Sequence, residues 1–133
     1  MKYAVVLLAP FGLAACTLIP QSAPTETAVT ADGIVHAALG QRVYVDGPYV
    51  TPLTVLEDSR CAVNVRCVWA GRTRLSVRID LGSRSETREI GSDQPIQVAD
   101  GQLSLVDVQP DAMAGQTVDL AAYRFGFAFA GGL

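Results

Sequence analysis

An all-β fold is predicted for residues 33–133: a single antiparallel β-sandwich, Ig-like or barrel-like, of about seven strands. Three observations predict it. Apolar residues recur at every second position in several short runs, the pattern of strands with one buried face. Gly, Pro, Asp and Ser separate those runs at short, regular intervals. No stretch of this region carries apolar residues at the helical period, and residues 118–123 have room for one turn at most.

Taken in order, Arg42-Val43-Tyr44-Val45 alternates with its valines inward. Asp46-Gly47-Pro48 is turn chemistry, because glycine accepts a positive φ and proline presets its own. Leu53 and Val55 continue an inward face in the next strand. Pro52 beside them cannot donate to a ladder, which places it at an edge or a bulge. Thr73 to Leu81 is the clearest strand, with Leu75, Val77, Ile79 and Leu81 inward and Arg74, Ser76, Arg78 and Asp80 outward. Gly82-Ser83-Arg84 turns the chain into residues 85–90, polar on both faces and therefore an edge strand. Ile96 and Val98 make a short strand, and Asp100-Gly101 marks a hairpin. In residues 102–108 the apolar set moves from Leu103 and Leu105 to Val106 and Val108, as a bulge or burial on both faces requires. Residues 110–116 are a loop. The last strand places Tyr123, Phe125, Phe127 and Phe129 at alternate positions, an aromatic core row. Arg124, Gly126 and Ala128 face away, the last two small enough to let another layer approach.

The chain has 133 residues, room for one domain, and a net charge of −3. No clustered basic surface accompanies that balance, so nucleic acid is not an expected partner. Residues 1–15 read as a signal peptide. Met1-Lys2-Tyr3 is its positive start and Ala4 to Leu13 its apolar core, shorter than the about 20 residues a spanning helix needs. Leu13-Ala14-Ala15-Cys16 resembles the bacterial lipobox. That resemblance implies cleavage before Cys16, lipidation of its thiol, and a membrane anchor in which each buried methylene contributes about 0.8 kcal/mol. It also implies a periplasm-facing place in a bacterial cell envelope. Thr17, where aspartate would retain an enteric lipoprotein in the inner membrane, leans toward the outer one. Residues 16–32, rich in Pro, Ser, Thr and Ala, are expected to be a tether reaching roughly 50 Å at about 3.3 Å per residue.

The stretch from Glu57 to Gly71 holds the only cysteines outside the leader and the only tryptophan. Exported cysteines favour disulfides, and with Cys16 taken by lipid, Cys61 and Cys67 have only each other. Closing so short a loop contributes about 2–2.5 kcal/mol on the chain-entropy account. The spacing does not match zinc sites, and His36 is the one distant histidine, so no metal or cofactor is expected. Trp69 is expected to pack as core against the disulfide loop, with a ligand platform as the alternative. Arg60 or Arg72 over its face would add a cation–π attraction. Asp58 and Ser59 are expected to bond nearby backbone amides, and Arg60 to pair with Asp58 or Glu57.

Asp58-Ser59-Arg60-Cys61 followed by Cys67-Val68-Trp69-Ala70-Gly71 resembles the D-S-R-C-P…C-x-W-x-G pattern of a family of small bacterial lipoproteins and secreted domains. Ala62 stands where that pattern commonly has proline. The family has no assigned activity, so the resemblance implies fold and compartment but no reaction.

A nucleophilic enzyme needs a base beside its nucleophile. This chain has one histidine, His36, no spare cysteine, and no G-x-S-x-G, phosphate loop or H-E-x-x-H. Glu57 and Asp58, adjacent in a strand, point to opposite faces. No catalytic residue is therefore expected. The expected function is that of a lipid-anchored envelope β-domain, a binding or structural module with an envelope protein partner. Its candidate surface is Asp58, Arg60, Asn64, Arg66, Trp69 and Arg72. Inhibition of an envelope hydrolase, a lysozyme or a protease, is the alternative. An enzyme built on His36 is the second alternative, and it requires His36 beside a carboxylate in a cleft.

Overall fold

The computed structural model describes Pro10, Gly12 and residues 33–131. The lipobox cysteine Cys16, the tether, and all of the signal peptide but Pro10 and Gly12 lie outside the described residues.

Eight strands run β1 (Val35–Ala37), β2 (Val43–Tyr44), β3 (Tyr49–Asp58), β4 (Thr73–Leu81), β5 (Arg84–Gly91), β6 (Ile96–Val98), β7 (Gly101–Gln109) and β8 (Arg124–Ala130). They form two antiparallel four-stranded sheets, β1-β8-β7-β6 and β2-β3-β4-β5. The sheets pack face to face into the predicted β-sandwich, with one strand more than expected. Residues 118–123 hold a single 3₁₀ turn, Leu120–Ala122, capped by the Asp119 carboxylate.

The core is what period two demands. Val43, Val45, Val50, Leu75, Val77 and Ile79 from one sheet meet Val98, Leu103, Leu105, Phe125 and Phe127 from the other. Tyr123 is buried, and Phe129 is partly buried at the edge of this cluster. β5 is an edge strand, as its polarity predicts.

Two bulges in β3 correct one expectation. Register shifts fall between Pro52 and Thr54 and between Val55 and Glu57, so Leu53 and Leu56 are each an extra residue. Leu53 does not face inward; it is 42% exposed. Val55, one bulge later, returns to the core. Pro52 sits at the first bulge inside the sheet, paired with Val77. In β7 the shift between Leu105 and Asp107 makes Val106 the extra, exposed residue, and Val108 resumes the inward phase.

The hairpin joining β6 and β7 turns one residue earlier than its sequence signal. Ala99 takes the positive φ of 51°, and Gly101 already pairs with Val98. Gly101 is required for a different reason: a Cβ there would lie 2.4 Å from the Ala130 carbonyl oxygen. Asp80 faces outward as predicted yet is only 9% exposed, because Arg42, Arg78 and the Ser85 hydroxyl cover it. Its carboxyl is held below the usual range, first by the Ser85 hydrogen bond and then by the arginines.

The antiparallel register fixes the two ends of the sandwich. Asp58 lies level with Thr73, and Tyr49, at the other end of β3, with Asp80. β1 starts at the Tyr49 end, where Gly33, Val35, Tyr44 and Asp46 line one depression. The chain therefore enters the domain at the end opposite residues 58–73.

Candidate functional site

The site is built where β3 leaves its sheet. Asp58 turns its carboxylate into the end of the sandwich, where the side chain is 16% exposed. Arg60 answers it with a two-pronged contact, Nε to Oδ1 at 2.8 Å and Nη2 to Oδ2 at 2.9 Å. The same guanidinium donates through Nη1 to the carbonyls of Val108, at 3.0 Å, and Pro110, at 2.9 Å. Arg60 thus joins the β3 sheet to the β7 sheet. The Tyr123 hydroxyl donates to Asp58 Oδ2 at 2.7 Å and completes the cluster.

The electrostatics follow from these contacts. The Arg60 hydrogen bond holds the Asp58 carboxyl below the usual range, against the opposing effect of burial, with the Tyr123 hydroxyl helping. Burial, and after it the Asp58 carboxylate, pushes the Tyr123 phenol up to about 12. Asp58 and Arg60 are therefore committed to each other rather than offered to a ligand.

The next residues continue the stitching. The backbone N–H of Val63 donates to the Ala112 carbonyl at 2.9 Å, and Asn64 Oδ1 accepts from the Ala114 N–H at 2.9 Å. With Arg60, the loop reaches backbone groups at positions 108, 110, 112 and 114, along the end of β7 and the segment that follows it. On the other flank the Ser59 N–H donates to the Arg72 carbonyl, and the Arg72 N–H donates to Ser59 Oγ. Cys61 and Cys67 are joined in the predicted disulfide, their Cα atoms 5.9 Å apart.

Gly71, the last residue of the motif, is explained by space. A Cβ there would lie 1.6 Å from the Ser59 carbonyl oxygen, so only glycine lets the two arms of the loop close. Ala62, where the resembling pattern has proline, makes the carbonyl end of a turn whose N–H comes from Val65 at 3.2 Å.

With its backbone so held, the loop turns apolar side chains outward. Trp69 is 64% exposed and Val68 95%, and Val63 and Val65 within the disulfide ring are exposed as well. This corrects the expectation of Trp69 as core. The disulfide ring sits outside the sandwich, so there is no interior for the indole to fill. The cation over an aromatic face is also elsewhere: Arg42 lies 4.0 Å from the Tyr49 ring centre, at the opposite end. Arg72 pairs with Glu57 at 2.7 Å and Asp93 at 3.3 Å. A depression of about 420 Å³ beside the indole is lined by Ser59, Trp69, Ala70, Gly71, Arg72 and Asp93.

Of the six residues of the predicted surface, Asp58, Arg60 and Asn64 build the loop, and Arg72 braces its base. Arg66 and Trp69 face solvent, and Arg66 has no ion pair among the described residues. The sequence reading passed over Val63, Val65 and Val68. The signal is local: Val63 and Val65 inside the five-residue disulfide ring, and Val68 just after Cys67, have no strand to carry them inward.

His36 lies beside a carboxylate, Nε2 to Asp107 Oδ2 at 2.7 Å. The two flank Gly126 in register on the outer face of their sheet, and neither lines the depressions at the loop end. A Cβ on Gly126 would lie 2.8 Å from Asp107 Cβ and 3.0 Å from His36 Nε2, so the small residue makes room for this pair rather than for another layer. Among the described residues no group of three or more His, Cys, Asp or Glu side chains is placed to hold a metal ion.

The molecule is thus an antiparallel β-sandwich carrying one disulfide-closed, apolar-tipped loop. No protein family, curated protein or solved structure matches the chain in sequence or fold.

Proposed function

We propose that this chain is a lipid-anchored β-domain of a bacterial envelope that works as a binding module through the tip of its 57–72 loop. One observation carries the reading: Val68 and Trp69 are exposed to solvent on a short segment held at one end by the disulfide at Cys67 and at the other by the Ser59–Arg72 hydrogen bonds. Exposed apolar groups on a surface loop mark contact sites. A loop already fixed loses less conformational freedom when it binds. The lipobox resemblance at Cys16 supports the anchor, and Thr17 supports the outer membrane. No catalytic role is proposed for His36, whose bond to Asp107 bridges Gly126.

Cross-linking in intact envelopes tests the reading, comparing the natural chain with Trp69→Ala. Loss of adducts in the variant is expected; an unchanged adduct pattern removes the loop as the contact surface.

Arg66 favours a second reading, inhibition of an envelope hydrolase. It is an exposed cation with no ion pair among the described residues, inside a closed ring, a shape that fits the specificity pocket of a protease cleaving after basic residues. Assays against lysozymes and proteases decide it: no inhibition in either class removes it.

A further inference from the structure

We infer that the loop tip docks on an anionic bilayer surface, with Val63, Val65, Val68 and Trp69 sinking to the level of the lipid headgroups. The inference rests on reading the loop as a contact surface and names what it contacts.

Side-chain chemistry is the first support. From Cys61 to Gly71 the sequence contains one charged residue, Arg66, and no carboxylate. Arg66 is thus the one charge within that apolar span, and the Asp93 carboxylate, which shares the depression beside the indole, is paired with Arg72. Apolar side chains beside an indole and an exposed cation are the composition that partitions into an anionic interface.

Backbone satisfaction is the second. Lipid penalises bare amide groups. At the tip the Val63 N–H is taken by the Ala112 carbonyl and the Val65 N–H by the Ala62 carbonyl. The Asn64 side-chain oxygen, which would otherwise need water, accepts from the Ala114 N–H. Val63 and Val65 therefore approach a bilayer with their own N–H groups already bonded.

Reach is the third. The chain enters the sandwich at Gly33, at the end opposite the loop. The ten residues of β3 set that distance at about 30 Å. The chain from Cys16 to Gly33 extends at most roughly 55 Å, at about 3.3 Å per residue. An anchor at Cys16 leaves enough chain for the domain to turn its far end onto the same bilayer.

Trp69 is the only tryptophan, so its emission reports the tip alone. The full chain, purified from its own envelope, is bound to vesicles containing phosphatidylglycerol or made of phosphatidylcholine alone. Quenching of Trp69 by acyl-brominated lipids is then read. Strong quenching on the anionic vesicles, weaker on the neutral ones, is expected. The double variant Val65→Ser, Val68→Ser should abolish it while its thermal melt stays unchanged, because both positions are exposed. Arg66→Ser should lower the docked-to-free ratio about fivefold on anionic vesicles and leave neutral ones unaffected. Equal quenching on both vesicle types overturns the anionic preference, and no quenching overturns docking on lipid. If an unquenched Trp69 still gives a Trp69-dependent cross-link to an envelope protein, the lipid inference falls and the loop reading stands. If neither signal appears, both fall.

Discussion

The Tyr123 hydroxyl meets the Asp58 carboxylate at 2.7 Å across 65 positions of sequence, and the disulfide loop opens at Cys61, three residues beyond that contact. The tyrosine ring belongs to the aromatic core, stacked on Phe125 with ring centres 5.2 Å apart. Its oxygen reaches out of that core to fix the carboxylate on which Arg60 is seated. Tyr123→Phe keeps the ring and removes the donor. It should cost about 1 kcal/mol in urea unfolding. Asp58→Asn, which leaves a half-buried guanidinium without its counter-charge, should cost more, on the order of 2–3 kcal/mol. Equal stability of the two variants would show that the carboxylate is not the centre of the cluster.

The same contact sets a pH signature at each end of the scale. Asp58 is lowered below 3.8 in the folded chain, so its contribution is present at neutral pH and is lost as pH falls through the folded value. Tyr123 is raised from 10.0 to about 12, so its contribution is complete below pH 10 and is lost between pH 10 and about 12. The chain has four tyrosines. Absorbance titration should show one phenol ionising last, and Asp58→Asn should bring that phenol down. A Tyr123 signal that ignores the Asp58 substitution would refute the coupling.

Arg60 makes contacts that lysine cannot copy, because a single ammonium cannot grip a carboxylate with two nitrogens while bonding two carbonyls. Arg60→Lys should destabilise the chain by about 1–2 kcal/mol. It should also speed hydrogen exchange at the Val63 amide, whose partner Ala112 lies just beyond the carbonyls Arg60 holds. Unchanged exchange at Val63 would mean that the disulfide alone fixes the loop.

Removing that disulfide by Cys61→Ser and Cys67→Ser should cost about 2–2.5 kcal/mol. The sandwich core lies elsewhere and should keep its β circular dichroism. Trypsin should then cut at Arg66 faster than in the natural chain. A collapse of the whole fold would contradict the separation of loop from core.

Gly71→Ala and Gly126→Ala should differ in kind. The first forces a Cβ into the Ser59 carbonyl and must open the base of the loop, costing more than about 2 kcal/mol. The second meets Asp107 Cβ, the Ile34 side chain and His36 Nε2, so it should part the His36–Asp107 hydrogen bond and crowd the strand pair, for about 1–3 kcal/mol. Nuclear magnetic resonance of the His36 ring distinguishes them, since only Gly126→Ala should shift it.

Most of the sheet structure was legible because burial on one face leaves a period of two in the sequence. Thr73–Leu81 emerged with the same bounds, and Tyr123, Phe125 and Phe127 emerged as core. Leu53 was not legible: a bulge moves the inward phase by one residue, and nothing local to Pro52-Leu53-Thr54 marks which residue is extra. The disulfide followed from cysteine count. Asp58 and Arg60 were read as partners, but the Val108 and Pro110 carbonyls beyond them depend on where the second sheet falls. Trp69 was misjudged because an indole has the same composition signal inside a fold or on its outside. Only the position of the ring, beyond the last core layer, separates the two.

Arg60 also has a mechanical meaning. A pull on the loop tip reaches both layers at once through one guanidinium, while a pull at Gly33 enters through β1, which has only three residues in register with β8. Tension applied between Gly33 and the loop tip would peel that first short strand before it disturbed the loop, so the domain is armoured at one end and gives way at the other.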